Sequence, residues 1–133
     1  MNLTSQKYSF TLITFYNKIP SEFDYDDNEL MNKINSFLEG FTPTENQEEI
    51  FKIILDKFIN LGFSDVLLNE VLISKTIEDE ILFTKSTEDG VKILFIDEDG
   101  DVGYNNTPFN ENPTSVFVDY NEELKEVCLD FVV

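Results

Sequence analysis

Histidine, arginine, tryptophan and alanine are all absent from this chain of 133 residues. The commonest general base and metal ligand is therefore missing, and so is the side chain best suited to hold a phosphate group. Catalysis would have to rely on Asp, Glu, Tyr, Lys or Ser. The acids are so numerous that some pair must lie at a suitable separation by chance, and no spacing distinguishes one pair. We therefore expect a protein that is not an enzyme and that uses neither a cofactor nor a metal ion.

Cysteine occurs once, at position 128. A single cysteine cannot form an intramolecular disulfide, and the apolar run around Cys128 suits a buried core thiol. No apolar run approaches the roughly 18 residues of a membrane span, and no secretory signal pattern is present. These features predict a reduced, cytoplasmic protein that does not enter a membrane.

Positive charge is scarce, because 9 lysines stand against 27 acids and the net charge is −18. The imbalance is uneven: residues 1–20 carry +2, residues 21–49 carry −8, residues 50–77 are neutral and residues 78–133 carry −12. Such a field repels anionic lipid, and the chain lacks the cationic groups that bind nucleic acid directly. It attracts a basic protein surface, with association rates raised by roughly 10- to 1000-fold at low salt.

Two Asp-Gly turns organise the second half of the chain. One is Glu88-Asp89-Gly90, and the other lies in residues 97–101, DEDGD. β-rich runs flank both turns, which is typical of a meander of antiparallel strands. Two further segments are rich in β-branched and aromatic residues. The predicted strands are residues 7–16, 79–85, 91–96, 102–105 and 114–120.

Apolar residues at helical spacing predict helices over residues 28–39, 43–61 and 65–72, and Asp26 and Thr42 are the expected caps of the first two. A strand is an alternative for the third segment. The tail from Asn121 fits both a helix and a strand, and its beginning favours a helix. Because the helices occur together after the first strand, we expect a single α+β domain over residues 1–133. It would contain an antiparallel sheet of about five strands with two or three helices packed on one face.

Two acidic loops carry the candidate binding residues. Residues 21–27 interleave aromatic and acidic side chains and predict an exposed loop, and residues 97–101 form an acidic turn. Aromatic anchors inside a charged rim are typical of binding hot spots. An EF-hand calcium site is not predicted, because Phe95 and Asn106 would occupy the first and last ligand positions if Gly100 were the sixth. The candidate partner-binding residues are the acids Asp24, Asp26, Asp27, Asp97, Glu98, Asp99 and Asp101, with Phe23, Tyr25 and Tyr104 as aromatic anchors.

These observations favour a non-enzymatic inhibitor of a basic protein, such as a toxin, a nuclease or another nucleic-acid-binding protein. The abundance of Asn, Ile, Lys and Phe indicates an AT-rich bacterial or phage genome. Small acidic proteins of that origin often serve as toxin-neutralising immunity proteins or phage anti-defence inhibitors, and some act as nucleic-acid mimics; this is an analogy with a class. Two alternatives are a scaffold or assembly component whose acidity serves solubility only, and a metal-dependent hydrolase that uses carboxylates.

Overall fold

The structure, a computed structural model, describes residues 25–108 and 115–133, with side chains from residue 29 onward. Three helices come first, followed by five strands and a last helix, which confirms the predicted α+β class. The helices are α1 (Tyr25–Glu39), α2 (Glu45–Asn60), α3 (Ser64–Asn69) and α4 (Leu124–Val132). The strands are β1 (Leu72–Lys75), β2 (Ile81–Ser86), β3 (Gly90–Ile96), β4 (Val102–Pro108) and β5 (Val116–Val118).

The five strands form one antiparallel meander in the order β1-β2-β3-β4-β5. One row of paired residues crosses the whole sheet: Lys75, Ile81, Ile96, Val102 and Val118 are successive partners. Because neighbouring strands run in opposite directions, the β1–β2 turn, the β3–β4 turn and the exit from β5 all lie beyond this row. The topology therefore gathers three connections at one end of the sheet.

One face of the sheet packs against helices. Along β2 and β3, buried residues alternate with less buried ones, as the period of two in a strand requires. Phe58 of α2 lies at the centre of this layer, with ring centroids 6.2 Å from Phe83 and 5.6 Å from Phe131. The buried apolar residues of the described chain form one core cluster. No described helix has both the length and the apolar character that crossing a membrane requires.

The third helix ends earlier than the prediction of residues 65–72. Helix α3 covers Ser64–Asn69, and Leu72 begins β1, so the strand alternative is correct for the end of this segment. Ile73 pairs with Phe83 and is buried, which a further helical turn would not achieve. The predicted strand at residues 7–16 lies outside the described residues, and β1 is the strand that the sequence analysis missed.

The C-terminal segment is a helix, as its beginning suggested. Leu124, Cys128 and Phe131 follow each other at helical spacing and are all buried. Burial raises the pKa of the Cys128 thiol to about 12, against the opposing effect of the Lys57 charge. The prediction of a buried core thiol at this position is confirmed.

Among the described residues, Lys33, Lys85 and Lys92 extend their side chains into the protein. Lys33 of α1 reaches the end of α3, where its ammonium donates to the carbonyls of Leu67 at 2.6 Å, Leu68 at 3.0 Å and Val71. A cation at this position satisfies carbonyls that a helix end leaves unpaired, and it also complements the helix dipole. Partial burial lowers the pKa of Lys33.

Lys92 does the same for α4. Its ammonium donates to the carbonyl of Asp130 at 2.6 Å and to that of Val133 at 3.0 Å, and the residue is only 7% exposed. Lys85, the direct partner of Lys92 on β2, is equally buried and lies 3.8 Å from the carboxylate of Glu70. Lys33 and Lys92 therefore serve as hydrogen-bond donors to backbone carbonyls, and Lys85 lies beside the carboxylate of Glu70.

Candidate functional site

Three acidic segments converge at the end of the sheet that holds the β1–β2 and β3–β4 turns. The start of α2 lies against these two turns and is hydrogen-bonded to both. The acidic residues of these segments are exposed or half-exposed, although one carboxylate oxygen of Glu48 is itself buried. We call this surface the acidic end, and it comprises Glu45, Glu48 and Glu49 of α2, Glu78, Asp79 and Glu80 of the β1–β2 turn, and Asp97, Glu98, Asp99 and Asp101 of the β3–β4 turn.

Gln47, which is fully buried, joins the three segments. Its amide nitrogen donates to the carbonyls of Asp79 at 2.7 Å and Ile96 at 3.4 Å. Its amide oxygen accepts from the backbone N–H of Thr44, while the Thr44 hydroxyl accepts from the Gln47 N–H and donates to the carbonyl of Glu98 at 2.8 Å. This reciprocal pair is a capping box, and here it also fixes both turns to the start of α2.

The β3–β4 turn is held by its own first acid. One carboxylate oxygen of Asp97 accepts from the backbone N–H groups of Asp99 and Asp101, each at 2.9 Å. Gly100 has a φ of 90°, a conformation that glycine adopts without steric cost. The side chains of Glu98, Asp99 and Asp101 contribute nothing to these bonds and are exposed. Their charges are therefore presented to solvent from a fixed turn.

The β1–β2 turn is held by a threonine. The hydroxyl of Thr76 accepts from the N–H groups of Glu78 at 3.2 Å and Glu80 at 3.1 Å. Asp79 has a φ of 63°, which is uncommon outside glycine and is tolerated best by Asn and Asp. The bond from Gln47 to the Asp79 carbonyl stabilises this conformation. The turn thus offers its three acids in a defined arrangement.

Among the residues that the structure describes, no lysine forms a salt bridge with the acidic end. Within the described ranges, one salt bridge is found, between Lys85 and Glu70, and it lies outside this surface. Lys33 and Lys92 are occupied with helix carbonyls. A cationic surface that approached the acidic end would therefore meet carboxylates without competing ion pairs.

Only part of the first predicted binding loop lies within the described residues. Phe23 and Asp24 lie outside the described residues, and residues 25–27 begin α1 and do not belong to an exposed loop as predicted. Helix α1 has 15 residues, so it is about 22 Å long. Phe37, near its C-terminal end, contacts Phe51 of α2 at 5.9 Å between ring centroids. Residues 25–27 are thus at the end of α1 remote from the acidic end.

Tyr104 is a core residue, so it cannot serve as the exposed aromatic anchor that we predicted. It is 8% exposed, its ring centroid lies 6.4 Å from that of Phe131, and its hydroxyl donates to the Asp130 carboxylate. Burial, together with this hydrogen bond, raises its pKa. Its position on β4 directs the side chain toward the helices, opposite Leu94 in the register.

The sequence analysis missed the contribution of α2. Its first-turn acids have a local explanation in the helix dipole, which hides their role at the surface. The sequence feature that indicates this arrangement is Thr44-x-x-Gln47, which has capping-box form. It makes Thr44 the N-cap, so the helix begins at Glu45 and not at the predicted residue 43.

A metal ion is a second candidate ligand of this surface. Asp97, Asp99 and Asp101 each offer a carboxylate oxygen, and these oxygens lie within 4.8 Å of one another. Ca²⁺ takes 6–8 oxygen ligands, and the Asp97 oxygen that holds the turn is already occupied by two N–H groups.

We therefore expect calorimetric titration with Ca²⁺, Mg²⁺ and Mn²⁺ to give dissociation constants of about 1 mM or weaker, as in low-affinity extracellular sites. The control is the double variant Asp99→Asn/Asp101→Asn. Micromolar binding by the unmodified protein that this variant loses would contradict the expectation and favour a metal-dependent hydrolase.

We also compared the chain with protein-family models, with curated proteins and with solved structures. None of the three comparisons found a match.

Proposed function

We propose that this protein is a non-enzymatic binding protein that inhibits a basic protein partner by covering the partner's cationic surface with the acidic end. The observation that carries the proposal is the convergence of three acidic segments on one end of the sheet, fixed there by Gln47. Rigid presentation matters, because side chains that are already in place lose less conformational entropy when they bind.

The proposal depends on net electrostatic complementarity. A protein of charge −18 accelerates the encounter with a basic partner, and the effect weakens as salt shortens the Debye length from about 30 Å at 0.01 M to about 8 Å at 0.15 M. Carboxylates on a rigid surface resemble the phosphates of a nucleic acid in charge and in hydrogen-bond acceptance. A groove lined with lysine and arginine is the cationic surface that such an array fits.

The partner class follows from this chemistry. A toxin, a nuclease or another nucleic-acid-binding protein has a basic groove of this kind. The protein would then act in the cytoplasm as an immunity protein or as a phage anti-defence inhibitor. A scaffold that needs acidity only for solubility has no requirement for a buried glutamine that unites three acidic segments, so the geometry favours the inhibitor.

The test compares two triple variants of equal net charge. Glu98→Gln/Asp99→Asn/Asp101→Asn neutralises three exposed acids of the acidic end, and Glu29→Gln/Glu39→Gln/Asp65→Asn neutralises three exposed acids on the helices. Affinity capture from a lysate at 50 mM NaCl identifies the partner. The dissociation constant of the complex and the activity of the partner are then measured with each variant.

We expect the first variant to bind about 10-fold more weakly, since three exposed ion pairs at about 0.5 kcal/mol each correspond to that factor. The second variant should change affinity by less than about 3-fold, and raising NaCl to 500 mM should release the partner. Affinity that is indifferent to salt, or that falls equally in both variants, would reject the proposal. So would a bound partner whose activity is unchanged.

A further inference from the structure

The last strand of the sheet exposes an unusual amount of apolar surface. On β5, Phe117 is 81% exposed and Val116 is 57% exposed. The neighbouring Val118 is buried and fixes the strand to the core. An aromatic ring held in water on a short strand is costly unless something covers it, and exposed aromatic groups with a polar rim mark interaction sites.

Two grooves, each of about 390 Å³, share Phe117 as a lining residue. Glu122 and Glu126 line the groove toward α4, and Asp101 and Asp119 line the other. Glu123 lines both, and neither groove has a basic residue in its described lining. The apolar centre thus has an acidic rim on both sides, and the rim joins the acidic end at Asp101.

The backbone of β5 adds a third feature. Within residues 25–108 and 115–133, β5 pairs with β4 alone and is the edge of the sheet. An edge strand offers N–H and C=O groups to which an extended segment can add as a further strand, with side-chain pockets supplying specificity.

We propose that this β5 surface docks an extended segment of the basic partner. The segment carries an apolar side chain against Phe117 and Val116 and lysine or arginine side chains in the two acidic grooves. Charge complementarity selects this occupant, because a second copy of the chain would bring a like-charged rim against the first. The inference rests on the proposed function and identifies the part of the partner that is recognised.

The test uses two synthetic decapeptides of equal charge, one alternating lysine and valine and the other alternating lysine and serine. Binding is measured by fluorescence anisotropy at 50 and 500 mM NaCl with the intact protein and with Phe117→Ser. The matched control is Leu72→Ser, which removes an apolar side chain that is 62% exposed on β1, the opposite edge of the sheet.

We expect the lysine–valine peptide to bind at least about 10-fold more tightly than the lysine–serine peptide at 50 mM NaCl. Phe117→Ser should abolish this preference and Leu72→Ser should leave it intact. Amide shifts in a ¹⁵N–¹H spectrum should move at residues 116–118 and 122–127 when the lysine–valine peptide is added. Equal binding of both peptides, or the same loss in both variants, would overturn the docking site.

The outcomes separate this inference from the proposed function. Salt-sensitive binding that depends on Glu98, Asp99 and Asp101 but not on Phe117 would overturn the docking site and leave the inhibitor proposal standing. Binding that depends on Phe117 but is indifferent to salt would support the docking site and reject the electrostatic proposal.

Discussion

Replacement of Gln47 with glutamate is expected to destabilise the protein by about 3–5 kcal/mol, the usual effect of leaving a buried charge without a partner. A glutamate carboxylate has no hydrogen to donate to the carbonyls of Asp79 and Ile96, which Gln47 now satisfies. It would also place a negative charge at a position with no solvent exposure, directly beneath the acidic end. Urea unfolding followed by circular dichroism measures the change.

The matched control is Asn46→Asp, which introduces the same charge at the preceding, exposed residue of α2. We expect it to change stability by less than about 0.5 kcal/mol, as is usual for surface substitutions. Equal urea midpoints for the two variants would show that Gln47 does not join α2 to the turns as described. A loss of about 3–5 kcal/mol is a large part of the typical stability of a domain, so near-complete unfolding of the glutamate variant would also agree with the prediction.

Replacement of Lys92 with methionine is expected to cost about 2–3 kcal/mol of stability. Methionine keeps most of the side-chain volume, so the main loss is the pair of bonds from the ammonium to the carbonyls of Asp130 and Val133. A hydrogen bond from a charged donor contributes about 1.5–3 kcal/mol, and the last turn of α4 also loses a cation at its negative dipole end. Thermal and urea unfolding give the magnitude.

Lys125→Met is the control for this second experiment. It removes one positive charge from an exposed position on α4, the helix whose end Lys92 contacts. Its effect should stay within about 0.5 kcal/mol. If the two lysine variants lost stability equally, the effect would arise from net charge, and the helix-end role of Lys92 would be wrong.

The sequence predicted the sheet well because its signals are local. Both Asp-Gly turns and the apolar runs of β2 and β3 can be recognised from neighbouring residues, and the predicted boundaries of these two strands were close to those observed. The secondary structure of residues 70–75 was harder to predict. Their apolar residues suit either a helix or a strand, and the choice depends on pairing with β2, which no local pattern reveals.

The site was predicted only in part. Residues 97–101 were chosen for their charge, and the structure places them at the centre of the acidic end. Tyr104 was chosen because aromatic residues near acids resemble hot spots, but one position along a strand decides between core and surface. The role of Gln47 could not be foreseen, because its partners Asp79 and Ile96 are 32 and 49 residues away.

Lys33, Lys85 and Lys92 extend into the protein, whereas Glu98, Asp99 and Asp101 face solvent. Added salt reaches the outer charges readily and the buried ones hardly at all. Ionic strength can therefore be used to vary the affinity for a cationic partner while the ammonium contacts that hold α3 and α4 stay in place. Release by salt would then report on recognition itself, because the scaffold beneath it remains folded.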